Sequence, residues 1–170
     1  MIWRRSHRAD PAAVAIADRH YNRQKPGTPQ FVPPGKCLVL KTPHAVWVSS
    51  WPIAEYVKHA WAGAWMNTMF RREGGDEIAS EMIKEAIGIT ACEWGEPPVL
   101  GMVSFVDADK VRRKRDPGRC YVRAGFKLVG KTQGGLWAFK MEPDVIRTLG
   151  VEMAPYWLRQ EVLPLYADSC

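Results

Sequence analysis

Between residues 37 and 48 the apolar positions come as two short runs, Cys37-Leu38-Val39-Leu40 and Ala45-Val46-Trp47-Val48, parted by Thr42-Pro43-His44. Short runs of this composition split by a turn predict a β-hairpin. Ahead of it, Met1 to Arg5 suits a short strand. Asp10-Pro11 then supplies an N-cap and a proline at the first helical position, opening a helix that Ala12, Val14, Ala15, Ile16 and Ala17 carry toward His20-Tyr21. Lys25-Pro26-Gly27-Thr28-Pro29 and Pro33-Pro34-Gly35 end it in a long loop. Downstream of the hairpin, Trp51 to Trp61 has no clear period, and Ala64 to Phe70 reads as a strand.

Ile78, Met82, Ile83, Ala86 and Ile87 recur at helical spacing and predict a helix from Glu77 to Glu93. The apolar run from Val99 to Val106 suits a central strand. A short helix is expected over Arg119 to Ala124, then a hairpin of Phe126 to Gly130 and Leu136 to Met141 around Gln133-Gly134-Gly135. From Pro143 a helical extension through residue 170 leaves Trp157, Leu158 and Val162 free to pack back on the sheet. The alternation predicts one mixed α/β domain over residues 1–170, its mixed sheet flanked by helices on both faces.

Composition narrows the class. A chain of 170 residues with 46% hydrophobic residues and 8 Trp has the material for a core and is not a disordered chain. No run approaches the ~20 apolar residues that span a bilayer, and the first residues lack a secretory apolar stretch. Cys37, Cys92, Cys120 and Cys170 are widely spaced and read as reduced thiols of a cytoplasmic protein. The net charge of +6 makes phosphate-rich partners plausible. Its distribution says more. Lys110, Arg112, Arg113, Lys114 and Arg115 precede an Asp116-Pro117-Gly118 turn and Arg119, and together these basic residues are the candidate phosphate contacts.

Two motifs carry a resemblance. One is a strand running into Arg71-Arg72-Glu73-Gly74-Gly75-Asp76 and then a helix; the other is Tyr121-Val122-Arg123-Ala124-Gly125-Phe126. Together they resemble the GCN5-related N-acyltransferase fold. That resemblance implies an acyl-coenzyme A type of donor whose phosphates sit on Arg71, Arg72, Gly74, Gly75 and Ser80, where free N–H groups and a helix dipole attract anions. The loop departs from the family pattern in Asp76 and Glu77, which repel a pyrophosphate.

The stretch GMVSFVDADKVRRKRDPGRCYVRAGFKLVGKTQGGL, with ADRHYNRQ and MFRREGGDEIASEMIKEA, looks like the Mom family of bacteriophage DNA-modification proteins, divergent members of the same fold. The resemblance covers most of residues 14–141. It implies conversion of adenine in double-stranded DNA to N6-carbamoylmethyladenine in the host cytoplasm, as protection against restriction. Carried over position by position, the catalytic residues are His20, Tyr21, Asp107 (Asp109 the alternative) and Tyr121. Iron is the implied cofactor, with His20 and Asp107 as ligand types. Blander roles stand beside these: His20 also suits a helix C-terminus, Asp107 a turn cap, and Trp47, Trp51, Trp61, Trp65 and Trp94 suit the core or a sheet face. His7, His44 and His59 have no partner at an informative spacing. An ordinary N-acyltransferase and a non-catalytic DNA-binding protein are the rival functions. The oligomeric state stays open, a homodimer included.

Overall fold

The computed structural model describes residues 1–111 and 116–162, with side chains up to residue 159. Seven strands form one sheet in the order β1-β2-β3-β4-β5-β7-β6. They are β1 (Arg4–Ser6), β2 (Lys36–Lys41), β3 (Ala45–Trp51), β4 (Trp65–Arg72), β5 (Met102–Val106), β6 (Lys127–Lys131) and β7 (Trp137–Met141). Among the described residues only β4 and β5 pair in parallel. The helices are α1 (Pro11–Ala17), α2 (Ala79–Trp94), α3 (Arg119–Ala124) and α4 (Pro143–Val162). The expected mixed α/β class is what forms.

Alternation along β3 shows how the two faces are divided. Ala45 and Trp47 join a core with Met82, Ile83 and Ile87 of α2, whereas Val46 and Val48 pack with Ala13, Ile16 and Ala17 of α1. Helices thus cover both faces. Trp47 and Trp65 are fully buried in the α2-side core.

Several boundaries differ from expectation, each for a local reason. The N–H groups of Ile2 and Trp3 both donate to the Glu85 carboxylate, so β1 begins only at Arg4. The first helix stops at Ala17 because the Asp18 carboxylate is taken by Arg23 Nε at 2.8 Å and the Gly27 N–H at 2.7 Å. That pair organises the Pro- and Gly-rich loop. Residues 99–101 do not extend β5, since the Gly101 N–H closes a turn on the Pro98 carbonyl. Gly101 has φ +66° and lies so near the Met141 carbonyl that a Cβ would sit 2.0 Å from its oxygen.

The C-terminal extension is part of the core rather than an appendage on the sheet. α4 lies on α2, with Ile146, Leu149, Met153 and Trp157 joining the main cluster. Small residues permit the close approach: a Cβ on Gly88 would meet the Leu149 carbonyl oxygen at 2.6 Å. Trp157 is buried, but Leu158 is exposed, contrary to expectation, and the Val162 side chain lies outside the described residues.

Candidate functional site: a cleft through the sheet

β4 and β5 pair only at Trp65↔Met102, Met66↔Val103 and Asn67↔Ser104. Beyond that point each strand continues unpaired with the other, so the sheet opens. A bulge helps. Val48 pairs with Met69 and Ser49 with Asn67, leaving Thr68 as the extra residue on β4. A cavity of about 230 Å³ fills the opening, walled by Asn67, Thr68 and Phe70 of β4, Ser104 and Phe105 of β5, and Tyr121 of α3.

Asn67 is the hub of this wall. Its Oδ1 accepts from the Tyr121 hydroxyl at 2.7 Å and from Ser104 Oγ at 3.2 Å. Its Nδ2 donates to the carbonyls of Met69 at 2.8 Å and Val48 at 3.1 Å, across the bulge. A buried amide is tolerated only when bonded in this way. Sequence reasoning passed over Asn67, although a lone amide inside an apolar strand was the available signal. Tyr121 stacks on Phe139 and meets Phe126 edge-on, and burial pushes its phenol far above the ordinary tyrosine range. It is a fixed proton carrier whose hydrogen points at Asn67.

His20 and Tyr21 close one mouth of the cleft from the turn after α1. Their rings are 4.4 Å apart. His20 does not sit in the last helical turn, so it is not a dipole cap: Nδ1 lies 2.6 Å from Asn22 Oδ1 and 3.2 Å from the Asn22 nitrogen. Burial lowers its pKa first, with the Arg71 charge adding to the effect, and contacts to Asn22 and the Phe70 carbonyl oppose it. Burial therefore favours the neutral ring.

The Tyr21 hydroxyl accepts from the Asp107 N–H at 3.4 Å, and its pKa is raised mainly by burial. Asp107 itself turns back on its own loop, where Oδ1 accepts from the N–H groups of Asp109 at 3.1 Å and Lys110 at 3.2 Å. That is the turn-cap arrangement. Three of the four expected catalytic positions, His20, Tyr21 and Tyr121, thus line one cavity, and Asp107 is connected to it only through its N–H bond to Tyr21.

The loop between β4 and α2 is arranged differently from the expected phosphate cradle. Arg71 Nε donates to Glu73 at 2.7 Å and Arg72 Nη2 to the Gly75 carbonyl at 2.6 Å. Arg19 grips the same Glu73 carboxylate, whose pKa falls to about 2 through these hydrogen bonds. Neither Asp76 nor Ser80 caps α2: the N-cap residue is Ile78, without a side-chain bond. Ala79 lines the central cavity, and a second cavity of about 460 Å³ lies between Ile78, Ala79 and Ser80 and the Arg119 and Arg123 side chains of α3. Arg123 is a basic contributor that the motif reading missed. Gly74 and Gly75 line neither cavity.

Lys110 is exposed, its ammonium 5.8 Å from the centre of the Tyr21 ring, and Arg119 is exposed at the start of α3. Arg112, Arg113, Lys114 and Arg115 lie outside the described residues. Val111, immediately before them, lines the cleft, and Asp116, immediately after them, lines the second cavity. On the iron expectation, His20 and Asp107 supply two donor types, and among the described residues no group of three or more His, Cys, Asp or Glu is gathered for a metal. Cys37 and Cys92 are free thiols. No helix among the described residues is long and apolar enough to cross a membrane.

No family model matches the chain, and neither do any curated protein or solved structure.

Proposed function

We propose that the protein is a group-transfer enzyme acting on DNA, modifying the exocyclic amine of adenine to N6-carbamoylmethyladenine in the manner of the Mom-like motifs. The observation that carries this reading is a cleft that meets a second cavity at Ala79, Gly118 and Cys120. At one mouth stand neutral His20 and Tyr21 beside Lys110, and at the other the uncapped start of α2 faces Arg119 and Arg123. An anionic donor suits the second mouth, where unpaired N–H groups, the helix dipole and two guanidiniums converge. A base offered by DNA suits the first, beside Lys110 and next to Val111, where the basic run leaves the described chain.

The chemistry asks for a base. Adenine N6 is a poor nucleophile because its lone pair is delocalised into the ring, and neutral His20 is placed to take the proton as the new bond forms. Tyr121 acts as a positioning group, its oxygen accepting from substrate while its hydrogen stays on Asn67. A carbamoylmethyl product requires an N–CH2 bond. Attack on a thioester carbonyl would give an amide instead, so the donor presents an electrophilic methylene and loses a leaving group from it. No step of the proposed chemistry runs through iron.

The test is mass spectrometry of nucleosides from plasmid DNA after expression in bacteria. A carbamoylmethylated adenine in wild-type cells, absent with His20→Ala, supports the reading. Unmodified DNA together with acetyl-coenzyme A turnover on a small amine would put an ordinary N-acyltransferase in its place.

A further inference from the structure

A third cavity, of about 570 Å³, shares one wall with the cleft. The wall is Phe105, which lines both spaces. Its neighbours in β5, Ser104 and Val106, face the α2 side, Ser104 through its bond to Asn67 and Val106 within the α2-side core. Phe105 therefore points to the opposite face, the side of α1.

There His59 and Trp61 stand against it. The His59 ring is 4.9 Å from Phe105, edge to face, and Trp61 is 5.9 Å from Phe105 and 6.0 Å from His59. All three rings are only half-buried. The far side is the β6–β7 turn with Lys131, Thr132 and Gln133, and Lys58 flanks the aromatic side. Both lysines are exposed.

The segment that brings these rings together has little regular structure to justify it. Trp61 follows the short 3-10 turn Ala54–Tyr56 and is held by its N–H donating to His59 Nδ1 at 3.1 Å. Three aromatic rings kept open to solvent between two lysines are costly for a core and well suited to a planar ring that carries phosphate. An amide at Gln133 adds a donor and an acceptor for a ring edge.

We infer that this cavity is a stacking site for a nucleobase of the strand being modified, the neighbour of the base presented to the cleft. The inference rests on the DNA reading above. Phe105 is the partition between the two bases, Trp61 the stacking face, and Lys58 and Lys131 the contacts to flanking phosphates. Stacking reads ring shape rather than identity, so the site tolerates different neighbours and fixes the strand by position.

The experiment uses a single-stranded oligothymidylate with one adenine next to a fluorescent adenine analogue, whose emission falls when its ring stacks on an aromatic side chain. End-label anisotropy reports binding, and analogue emission reports stacking. Wild-type protein should bind at low salt and quench the analogue. Trp61→Ala should abolish the quenching and weaken binding on the order of tenfold, the usual scale for removing one base–aromatic stack. Trp61→Phe should restore much of both. Lys58→Glu with Lys131→Glu, both at exposed positions, should also release the quenching, with an unchanged melting temperature as the control for folding. Binding with quenching unchanged in Trp61→Ala and in the double lysine variant overturns the stacking site and leaves the DNA reading standing. No anisotropy change for wild type at low salt with this strand overturns the stacking site; if an end-labelled duplex of the same sequence also gives none, DNA falls as the partner too.

Discussion

The Tyr121 hydroxyl donates to Asn67 Oδ1 across 2.7 Å, and this bond ties α3 to the strand where the sheet opens. Asn67 uses its other end to hold both carbonyls at the bulge, so one side chain sets the shape of the cleft and the orientation of the phenol. Tyr121→Phe keeps the ring stacked on Phe139 but leaves Asn67 one bond short. A loss of about 1 kcal/mol of stability in urea titration is expected, with product formation cut far more. Equal, small losses in both would reduce Tyr121 to a core residue.

Gly118 precedes α3 in the left-handed region, φ +81°, and a Cβ there would lie 2.2 Å from the Phe139 ring. The Gly118 carbonyl also receives the N–H groups of Tyr121 and Val122. Gly118→Ala therefore combines backbone strain with a clash in the aromatic stack behind Tyr121. It should lower stability by at least ~1–3 kcal/mol, the cost of one such strained residue. Chemical denaturation checks this, and a variant as stable as wild type would mean that the turn is not the rigid support described.

How much of this was legible in the sequence depends on the range of the interaction. Asp10 with Pro11 marked the start of α1, and Asp10 does bond the Ala12 N–H at 2.9 Å. Arg119 to Ala124 also forms where its local pattern put it. The end of α1 was illegible because Asp18 closes on Gly27, nine residues away. Long-range pairing hid the cleft most of all. Nothing in β4 or β5 alone says that their ladder ends at Asn67 and Ser104. His20, Tyr21 and Tyr121 were found by motif, whereas Asn67, Arg123 and the Trp61 cavity needed the fold. The internal pairing of the loop after β4 was illegible for the same reason: Glu73, inside the motif, holds both Arg71 and Arg19, the latter from a distant part of the chain.

If the basic run from Lys110 to Arg115 binds phosphates rather than base edges, affinity for duplex DNA should fall steeply with salt. Replacing Arg112, Arg113 and Arg115 by Ala should flatten the log–log salt dependence by about 0.9 for each phosphate that is no longer neutralised. Competition between duplexes of different sequence should change little. An unaltered slope would assign these arginines another task.

The pH dependence of His20 offers the most direct check on its role. Burial lowers its pKa below the ordinary value of 6.5, so the folded protein favours the neutral ring. Above pH 6.5 both folded and unfolded chains hold it neutral, and stability does not respond to this group. As pH falls through 6.5, the unfolded chain takes the proton first, and this contribution to stability is lost until the folded pKa is passed. His20→Gln should remove that part of the decline, which appears as a difference between the two stability–pH curves on the acid side of 6.5. Activity should follow the same group. If neutral His20 accepts the proton from adenine N6, the acid limb of kcat/KM for base modification titrates below pH 6.5, since that limb reports the free enzyme. His20→Gln should lose ~100- to 10,000-fold in rate, the usual contribution of a catalytic base, while its DNA affinity stays near wild type. An acid limb at or above 6.5, or a variant with full activity, would place the base elsewhere in the cleft.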